Sequence, residues 1–383
     1  MQPFDFLLQT RLVFGPNRIE QLGDLAKEFG GSRVLVVSDA GIVRAGHTAR
    51  GLEALHKVGL TTHVFSDISE NPTTADVDRG TAVAREFRPD LIVGLGGGSS
   101  MDCAKGINFL YSCGGRMQDY WGIGKATKPM LPLIAVPTTA GTGSEAQSFA
   151  LISDAETHVK MACGDKKAAC KVALLDPTLT VTQPERVTAL TGIDAVAHAL
   201  ETYVTTKRNF MSILLSREAW RLLEKNFLQV LREPNDLEAR GKMQLGAFLA
   251  GTAIENSMLG ATHALANPLT AHYGIPHGQA IALMLPHVIR FNGATRRDWY
   301  CELLAYVSGS NGAPPVSSGS DGLADFLAQM ADTAGLAGKL ASCGVEEQKL
   351  PELAADAAKQ WTGTFNPRAL STDDLLALYR AAY

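Results

Sequence analysis

Short apolar runs alternate with amphipathic stretches through the first half of the chain. The runs are RVLVVSD (33–39), TTHVFSD (61–67), LIVGLG (91–96), LPLIAVPTT (131–139) and KVALLDP (171–177). Buried strands separated by helices are typical of a parallel sheet that helices cover. We therefore predict a Rossmann-like α/β domain over residues 1–185.

The strand pattern stops at Pro184, and long helical periods replace it. These are PERVTALTGIDAVAHALETYV (184–204), MSILLSREAWRLLEKNFLQVL (211–231) and EARGKMQLGAFLAGTAIENS (238–257). We predict an all-helical second domain over residues 186–383. Its segment 307–322, VSGSNGAPPVSSGSDG, has no apolar period and is expected to form an exposed, mobile loop.

Composition narrows the class of protein. A length of 383 residues suits two domains. The net charge is -4 and the chain has no basic block, so we do not expect nucleic acid as a partner. Asp5 interrupts the first apolar run and no uncharged run is long enough for a bilayer, so we expect no membrane association and a cytoplasmic location. The six cysteines form no C-x-x-C pair, which favours reduced, packed thiols.

A glycine-rich loop follows the third strand. Gly96, Gly97 and Gly98 lead into Ser99 and Asp102 at the start of a helix. Such a helix start can bind a pyrophosphate, because glycines allow close backbone approach. The loop matches neither G-x-G-x-x-G nor the Walker pattern, so a simple tight turn is the alternative.

Asp39 stands at the end of the first clear strand. An acid at this place can accept both hydroxyls of an adenosine ribose and repel a 2'-phosphate, which favours NAD over NADP. It precedes the glycine loop, the reverse of the usual order, and it could instead only cap the next turn. The hydroxyl-rich segment PTTAGTGSEAQS (137–148) also suits hydrogen bonds to a nucleotide.

Asp194 and His198 lie four residues apart on a helix and can therefore bind one cation. This spacing is also common on ordinary helix surfaces, but the neighbours here are apolar, and an unpaired buried carboxylate would be costly. With His263 and His277 the set becomes one carboxylate and three imidazoles, which suits Fe(II) or Zn(II) acting as a Lewis acid.

Four ordered motifs resemble those of the iron-dependent alcohol dehydrogenases, the group III family: LGGGSSMDCAK, PTTAGTGSE, DAVAHALE and HALANPLTAHYGIPHG. The resemblance covers the chain except for 307–322. It implies a dehydroquinate synthase-like architecture, with a nucleotide domain, a helical domain and a metal in the cleft between them. It also implies a homodimer.

Matching motif positions assigns site residues. The implied metal ligands are Asp194, His198, His263 and His277. The implied cofactor contacts are Asp39, Asn71, Gly97, Gly98, Ser99, Asp102, Thr138, Thr139, Thr142, Phe149, Lys160 and Leu179.

One position departs from the family pattern. Asn267 stands where many members have a second histidine next to the nicotinamide, sometimes given a proton-relay role. Asparagine does not titrate, so that role does not carry over. We expect His272 and His287 to be packed or solvent-facing residues without a role in the chemistry.

The expected reaction is hydride transfer between NAD(H) and a small primary alcohol or aldehyde, with a divalent metal, Fe(II) ahead of Zn(II). The alternatives on this scaffold are a hydroxyacid:oxoacid transhydrogenase, a diol or hydroxyacid dehydrogenase, and a lyase resembling dehydroquinate synthase. A non-catalytic metal- or nucleotide-binding protein is the remaining alternative.

Overall fold

The computed structural model describes residues 3–307 and 319–383. The chain divides into two compact units. One unit is Leu7–Gln183, and the other is Pro184–Tyr383 with the N-terminal residues up to Phe6.

The first unit alternates strands and helices. Its strands are β1 (Arg11–Phe14), β2 (Arg33–Val37), β3 (Thr61–Phe65), β4 (Leu91–Gly96), β5 (Gly122–Ile123), β6 (Leu133–Pro137), β7 (Phe149–Ser153), β8 (Lys160–Gly164) and β9 (Val172–Leu175). Its helices are α1 (Leu22–Glu28), α2 (Ala40–Arg44), α3 (His47–Lys57), α4 (Thr74–Phe87) and α5 (Gly98–Cys113).

Six of these strands form one parallel sheet in the order β1-β9-β6-β4-β2-β3. The predicted parallel sheet and its five predicted strands are confirmed. The sequence reading missed β1 and the small second sheet β5-β8-β7, in which β7 and β8 are antiparallel. These strands are short or only partly buried, so they lack the continuous apolar run that marks a buried parallel strand.

Alternating residues of the sheet build two cores. Leu35 and Val37 of β2 face the core that includes α4 and α5, whereas Val34 and Val36 face the core that includes α1 and α3. Successive side chains of a strand point to opposite faces, so helices on both faces need an unbroken apolar strand. This requirement explains why RVLVV is readable from sequence.

The strand order places a topological switch between β2 and β4. The chain runs from β2 to β3 on one side, and β4 then pairs with the other side of β2. In open α/β sheets, ligands bind at the carboxyl ends of strands beside such a switch. Asp39 follows β2 and the glycine loop follows β4, so the two features meet there although their order along the chain is reversed.

The second unit is helical. Its helices are α6 (Glu185–Val204), α7 (Phe210–Arg232), α8 (Leu237–Ser257), α9 (Ala261–Tyr273), α10 (His277–Ala305), α11 (Ser320–Thr333), α12 (Leu350–Ala357) and α13 (Thr372–Ala381). The three long helices predicted from periodicity are α6, α7 and α8.

The predicted loop over 307–322 lies mostly outside the described residues. Its last three residues, 320–322, are not loop: they form the first turn of α11, and Ser320 is buried. Gly293 of α10 explains the burial, because Ser320 Oγ lies 2.2 Å from where a Cβ at Gly293 would stand.

The thiols agree with one further expectation. All six cysteines are free, and Cys103, Cys163 and Cys170 are buried, which raises the pKa of each thiol. Within residues 3–307 and 319–383, no helix is both long enough and apolar enough to cross a membrane.

Candidate metal centre and cofactor loops

The candidate metal centre begins on one buried face of α6. Asp194 and His198 project from successive turns, and both are only 5% exposed. His198 Nε2 lies 3.4 Å from Asp194 Oδ1. The i, i+4 spacing that the sequence showed therefore brings these two donor atoms together.

Gly278 brings His277 to the same place. His277 is the first residue of α10, and a Cβ at Gly278 would lie 2.0 Å from the carbonyl oxygen of Leu190 in α6. The absence of a side chain lets the start of α10 rest directly on the backbone of α6, one turn before Asp194. His277 Nε2 then lies 3.6 Å from Asp194 Oδ1.

His263 stands in the first turn of α9, whose start is held by two buried side chains. Glu201 Oε1 accepts a hydrogen bond from the backbone N–H of Thr262 at 2.7 Å, and Asn366 Oδ1 accepts one from that of Ala261 at 3.3 Å. Glu201 Oε2 also contacts His263 Nδ1 at 2.5 Å. His263 Nε2 lies 3.4 Å from Asp194 Oδ1.

Donor atoms of Asp194, His263 and His277 all lie within 4.8 Å of one another, and His198 joins them through its contact with Asp194. Two donors bound at about 2.1 Å to one tetrahedral ion stand about 3.4 Å apart, close to the spacings seen here. Within residues 3–307 and 319–383, neither Asp194 Oδ1 nor His263 Nε2 has a hydrogen-bond partner, although both atoms are buried. Such orphaned donor atoms fit a divalent cation.

The charges in this cluster compensate one another. Burial alone would raise the pKa of Asp194, but the imidazoles, His198 foremost, hold that pKa below its usual range. Burial alone would lower the pKa of His263, but Glu201 and Asp194 raise that pKa to about 9. The site therefore attracts positive charge, either as protons or as a metal ion.

The glycine loop contains two glycines that packing requires and one that it does not. Gly96 has φ +153°, and a Cβ there would meet Ser100 Oγ at 2.3 Å. A Cβ at Gly98 would meet Thr142 Cγ2 at 2.7 Å. At Gly97 the nearest described atom, Thr139 Cγ2, would be 3.5 Å away, an ordinary contact. The missing side chain at Gly97 therefore leaves room for a ligand.

The structure shows one of the two roles that the sequence left open for Asp39, the helix cap, and the ribose contact stays a prediction. Its Oδ1 caps α2 by accepting from the backbone N–H groups of Gly41 and Ile42 at 2.9 and 3.1 Å. Ser100 Oγ, in the helix that the glycine loop opens, donates to Asp39 Oδ2 at 3.0 Å. The structure thus brings Asp39 to the glycine loop while it also serves as a helix cap.

The other predicted cofactor contacts near the glycine loop differ in how deeply they are buried. The backbone N–H of Asn71 donates to Ser99 Oγ at 3.3 Å, so Asn71 lies at the loop. The backbone N–H of Thr138 donates to the carbonyl of Gly96 at 3.0 Å, but the Thr138 side chain is buried. Leu179 has no exposed surface and packs in the core of the sheet, so this conformation offers a ligand no contact with it.

A buried polar cluster lies beneath the loops. Lys105 Nζ donates to Ser144 O at 2.6 Å, to Ser144 Oγ at 2.9 Å and to Phe149 O at 2.8 Å. Ser144 Oγ donates to Asp102 Oδ1 at 2.6 Å. Burial raises the pKa of Asp102 against the opposing charges of Lys105 and, more weakly, Lys160. Lys105, Ser144 and Asp102 therefore tie α5 to the segment after β6 and to the carbonyl of Phe149.

Asn267 does not titrate, and its amide is engaged. Its Nδ2 donates to Gln360 Oε1 at 3.0 Å. It lies one helical turn after His263 on α9, so the two side chains share a face. His272 instead contacts Asp356 at 2.8 Å on the partly exposed side of that helix.

Sequence reasoning missed three buried residues: Glu201, Asn366 and Lys105. Glu201 had a local signal, because it lies seven residues after Asp194 and three after His198, on the same helix face. Asn366 had none, since its contact with Ala261 joins distant parts of the chain. Lys105 was part of a quoted motif, but its three acceptors depend on how the segment after β6 folds.

Comparisons with known proteins agree with this architecture. The family model for iron-containing alcohol dehydrogenase matches residues 9–177, and the model for the C-terminal part of the Fe-containing family matches 188–383. The 1,3-propanediol dehydrogenase of Klebsiella pneumoniae is 33% identical, with 99% of each chain covered. The NAD-dependent methanol dehydrogenase of Bacillus methanolicus is 29% identical, again with 99% of each covered. A crystal structure of 1,3-propanediol oxidoreductase superposes with a TM-score of 0.93 over all of both chains at 32% identity.

The parallel-sheet unit, the helical unit and these matches define a metal-dependent alcohol oxidoreductase. More specifically, the chain belongs to the iron-containing alcohol dehydrogenase family.

Proposed function

We propose that this protein transfers a hydride between NAD(H) and a small primary alcohol or its aldehyde, with a divalent cation held by Asp194, His198, His263 and His277. The observation that carries the proposal is the position of Asp194 Oδ1, which lies 3.4 to 3.6 Å from the Nε2 atoms of three histidines. One oxygen and three nitrogens form a mixed donor set that suits Fe(II), our first choice, or Zn(II).

The chain's own residues hold and orient this centre. Asp194 supplies negative charge in a buried place, and the imidazoles supply neutral nitrogen donors. When bound, the cation supplies Lewis acidity toward a substrate oxygen, and the nicotinamide supplies the hydride chemistry. The helices α6, α9 and α10 fix the donor directions, because each donor lies on a rigid element with a packed backbone.

The cofactor part of the proposal assigns nucleotide binding to residues 1–185 and metal binding to residues 186–383. The open position at Gly97 supports pyrophosphate binding at the start of α5. Asp39 supports NAD over NADP, because a carboxylate beside the glycine loop repels a 2'-phosphate. Asn71, Gly98, Ser99, Thr139 and Thr142 complete the surroundings of this loop, and Asp102 and the carbonyl of Phe149 belong to the buried cluster beneath it. Lys160 stays a proposed cofactor contact.

Two of the relatives favour a small alcohol as substrate. They are named for 1,3-propanediol and for methanol, and the methanol enzyme is named as NAD-dependent. We propose a substrate of this size class and an NAD cofactor on that basis.

Proton transfer is proposed to bypass position 267. Asn267 has no titrating group, and its amide donates to Gln360. The proton of the alcohol would then leave through water or the ribose hydroxyls of the cofactor.

The proposal is tested by metal analysis of anaerobically purified protein, combined with NAD reduction over a panel of C2 to C6 alcohols, diols and hydroxyacids. We expect bound iron or zinc and stoichiometric free NADH with a short primary alcohol or diol. Activity without any metal would overturn the metal assignment. Substrate exchange without release of NADH would identify a transhydrogenase instead.

A homodimer and a cytoplasmic location belong to the same proposal. The family resemblance supports the dimer, and six free cysteines support a reducing compartment. Light scattering of the full chain and cell fractionation test the two statements separately.

A further inference from the structure

We propose that Glu201 is a positioning residue that fixes the tautomer of His263, and with it the nitrogen that His263 presents to the metal. This inference rests on the proposed metal site. Glu201 itself is not one of the proposed metal ligands.

Both carboxylate oxygens of Glu201 contact residues in the first turn of α9. Oε2 contacts His263 Nδ1 at 2.5 Å, and Oε1 accepts from the backbone N–H of Thr262 at 2.7 Å. Glu201 is 2% exposed and His263 is 4% exposed, so neither contact competes with bulk water. The bond to Thr262 fixes the plane of the carboxylate, and the second oxygen is then aimed at the imidazole.

This arrangement determines which imidazole nitrogen carries a proton. A carboxylate only accepts, so Nδ1 must be the donor. The lone pair of the neutral ring is then on Nε2, the atom that lies 3.4 Å from Asp194 Oδ1. A carboxylate behind a ligating histidine also makes the ligating nitrogen more basic.

Glu201 also completes the charge of the site. A divalent cation with Asp194 and three neutral imidazoles keeps one uncompensated positive charge in a buried place, which is costly. Glu201, in contact with His263, supplies the second negative charge. Glu201 lies seven residues after Asp194 on α6, so both carboxylates are on one helix face.

The surrounding backbone leaves space for this carboxylate. A Cβ at Gly260, the residue before α9, would lie 3.1 Å from Glu201 Oε1. Asn366 holds the same helix end independently, since its Oδ1 accepts from Ala261 and it has no bond to His263. The chain therefore offers a matched control: Asn366 supports the helix end, whereas Glu201 supports the helix end and the imidazole.

Glu201→Gln separates positioning from simple packing. Thr262 N–H needs an acceptor, so the amide oxygen takes the Oε1 place and the NH₂ group faces His263 Nδ1. Two donors cannot bond, so either the ring moves its proton to Nε2, where the cation would bind, or the amide turns and leaves Thr262 N–H facing an NH₂ group. Both outcomes weaken metal binding while the side-chain volume is unchanged.

The experiment measures Zn(II) affinity by chelator competition and thermal unfolding of the metal-free protein, for the full chain and three variants. We expect Glu201→Gln to weaken Zn(II) binding by about 10- to 100-fold, with Glu201→Asp in between because it keeps the charge and the acceptor. Asn366→Ala should lower the unfolding temperature but change Zn(II) affinity by less than about threefold.

Three results would overturn the inference. Glu201→Gln could bind Zn(II) as the parent does, Asn366→Ala could lose as much affinity as Glu201→Gln, or the Asp and Gln variants could lose equal affinity. If the Gln variant does not fold, the comparison of Glu201→Asp with Asn366→Ala decides. A parent protein that binds no Zn(II), Fe(II) or Co(II) would instead overturn the proposed function, and this inference with it.

Discussion

The position of a Cβ at Gly278 would lie 2.0 Å from the carbonyl oxygen of Leu190, so α10 rests directly on the backbone of α6. The contact joins backbone to backbone, and no side-chain movement can relieve it. Because His277 precedes Gly278 and Asp194 follows Leu190 by one turn, this contact sets the distance between the two proposed ligands.

Gly278→Ala should therefore impair the metal centre and the fold together. We expect a loss of about 1–3 kcal/mol in the free energy of unfolding, because the helices must separate, and a lower metal content. Gly338→Ala is the control, since no described atom lies within 4 Å of where that Cβ would stand. Denaturant unfolding and metal analysis of both variants provide the measurement, and equal behaviour of the two would contradict the expectation.

Gly97→Ala should lower cofactor affinity without lowering stability. The added methyl would make only ordinary contacts with Thr139, so the fold is unaffected, but it would occupy the space assigned to the pyrophosphate. We expect the Kd for NADH, from fluorescence titration, to rise by about tenfold or more. Gly98→Ala should reduce stability as well, because its Cβ would meet Thr142 at 2.7 Å. Unchanged NADH binding by Gly97→Ala would remove the pyrophosphate from this position.

Asn267→His should introduce a titrating group one turn after His263. An imidazole has an unperturbed pKa of about 6.5, so the pH profile of kcat/KM should gain a bend near neutral pH, while metal content stays the same. Asn267→Ala, which removes the amide and adds no titrating group, is the control. Identical pH profiles for all three proteins would show that even a titrating group at position 267 does not take part in proton transfer.

Glu145 should make the protein less stable as pH rises toward neutrality. Burial raises the pKa of Glu145 to about 7, against a usual value of 4.5. Between these values the folded protein keeps a proton that the unfolded chain has released, so stability falls with rising pH, at most by about 1.4 kcal/mol per pH unit. Glu145→Gln should flatten this part of the stability curve.

Denaturant unfolding from pH 4.5 to 8 measures the effect of Glu145. Glu53→Gln, which changes an exposed glutamate of α3, should leave the curve as it is in the parent. A curve for Glu145→Gln with the parent's slope would show that this carboxyl is ionised in the folded protein throughout.

Removal of the metal should lower the unfolding temperature of the protein. A cation bound by α6, α9 and α10 stabilises only the folded state, by about 4 kcal/mol at a thousandfold excess over its Kd. Calorimetry with and without Zn(II) should show this shift in the parent protein, whereas Asp194→Asn should show little of it. An equal shift in both proteins would place the stabilising ion elsewhere.

The strands and the long helices were readable from sequence because their burial is regular. LIVGLG of β4 is buried at every position, so it appears as one apolar run, and α7 buries residues at helical spacing, namely Ser212, Ser216, Ala219, Leu223 and Phe227. The strand KMACG of β8 did not appear, because it is only five residues long, begins with a lysine and is buried in part. Regular burial leaves a pattern in the sequence, and pairing at the margin of a sheet does not.

The proposed metal ligands were accessible to sequence reasoning for a different reason. Asp194 and His198 form a helical pair, and the histidines of a recognisable motif added the rest. The contact between Glu201 and His263 spans 62 residues and depends on how α6 and α9 cross, which no local spacing encodes. The same holds for Gly278 and Leu190, where only the fold shows why glycine is needed.

Asn366, which caps α9, is translated after every proposed metal ligand. All four proposed ligands and Glu201 lie between residues 194 and 277, so the ribosome delivers them before it delivers Asn366. An ion captured early would hold three helices together while the C-terminal residues are still being made. The order of translation would thus let a cation bind before Asn366, one of the two side chains that cap this helix, has been made.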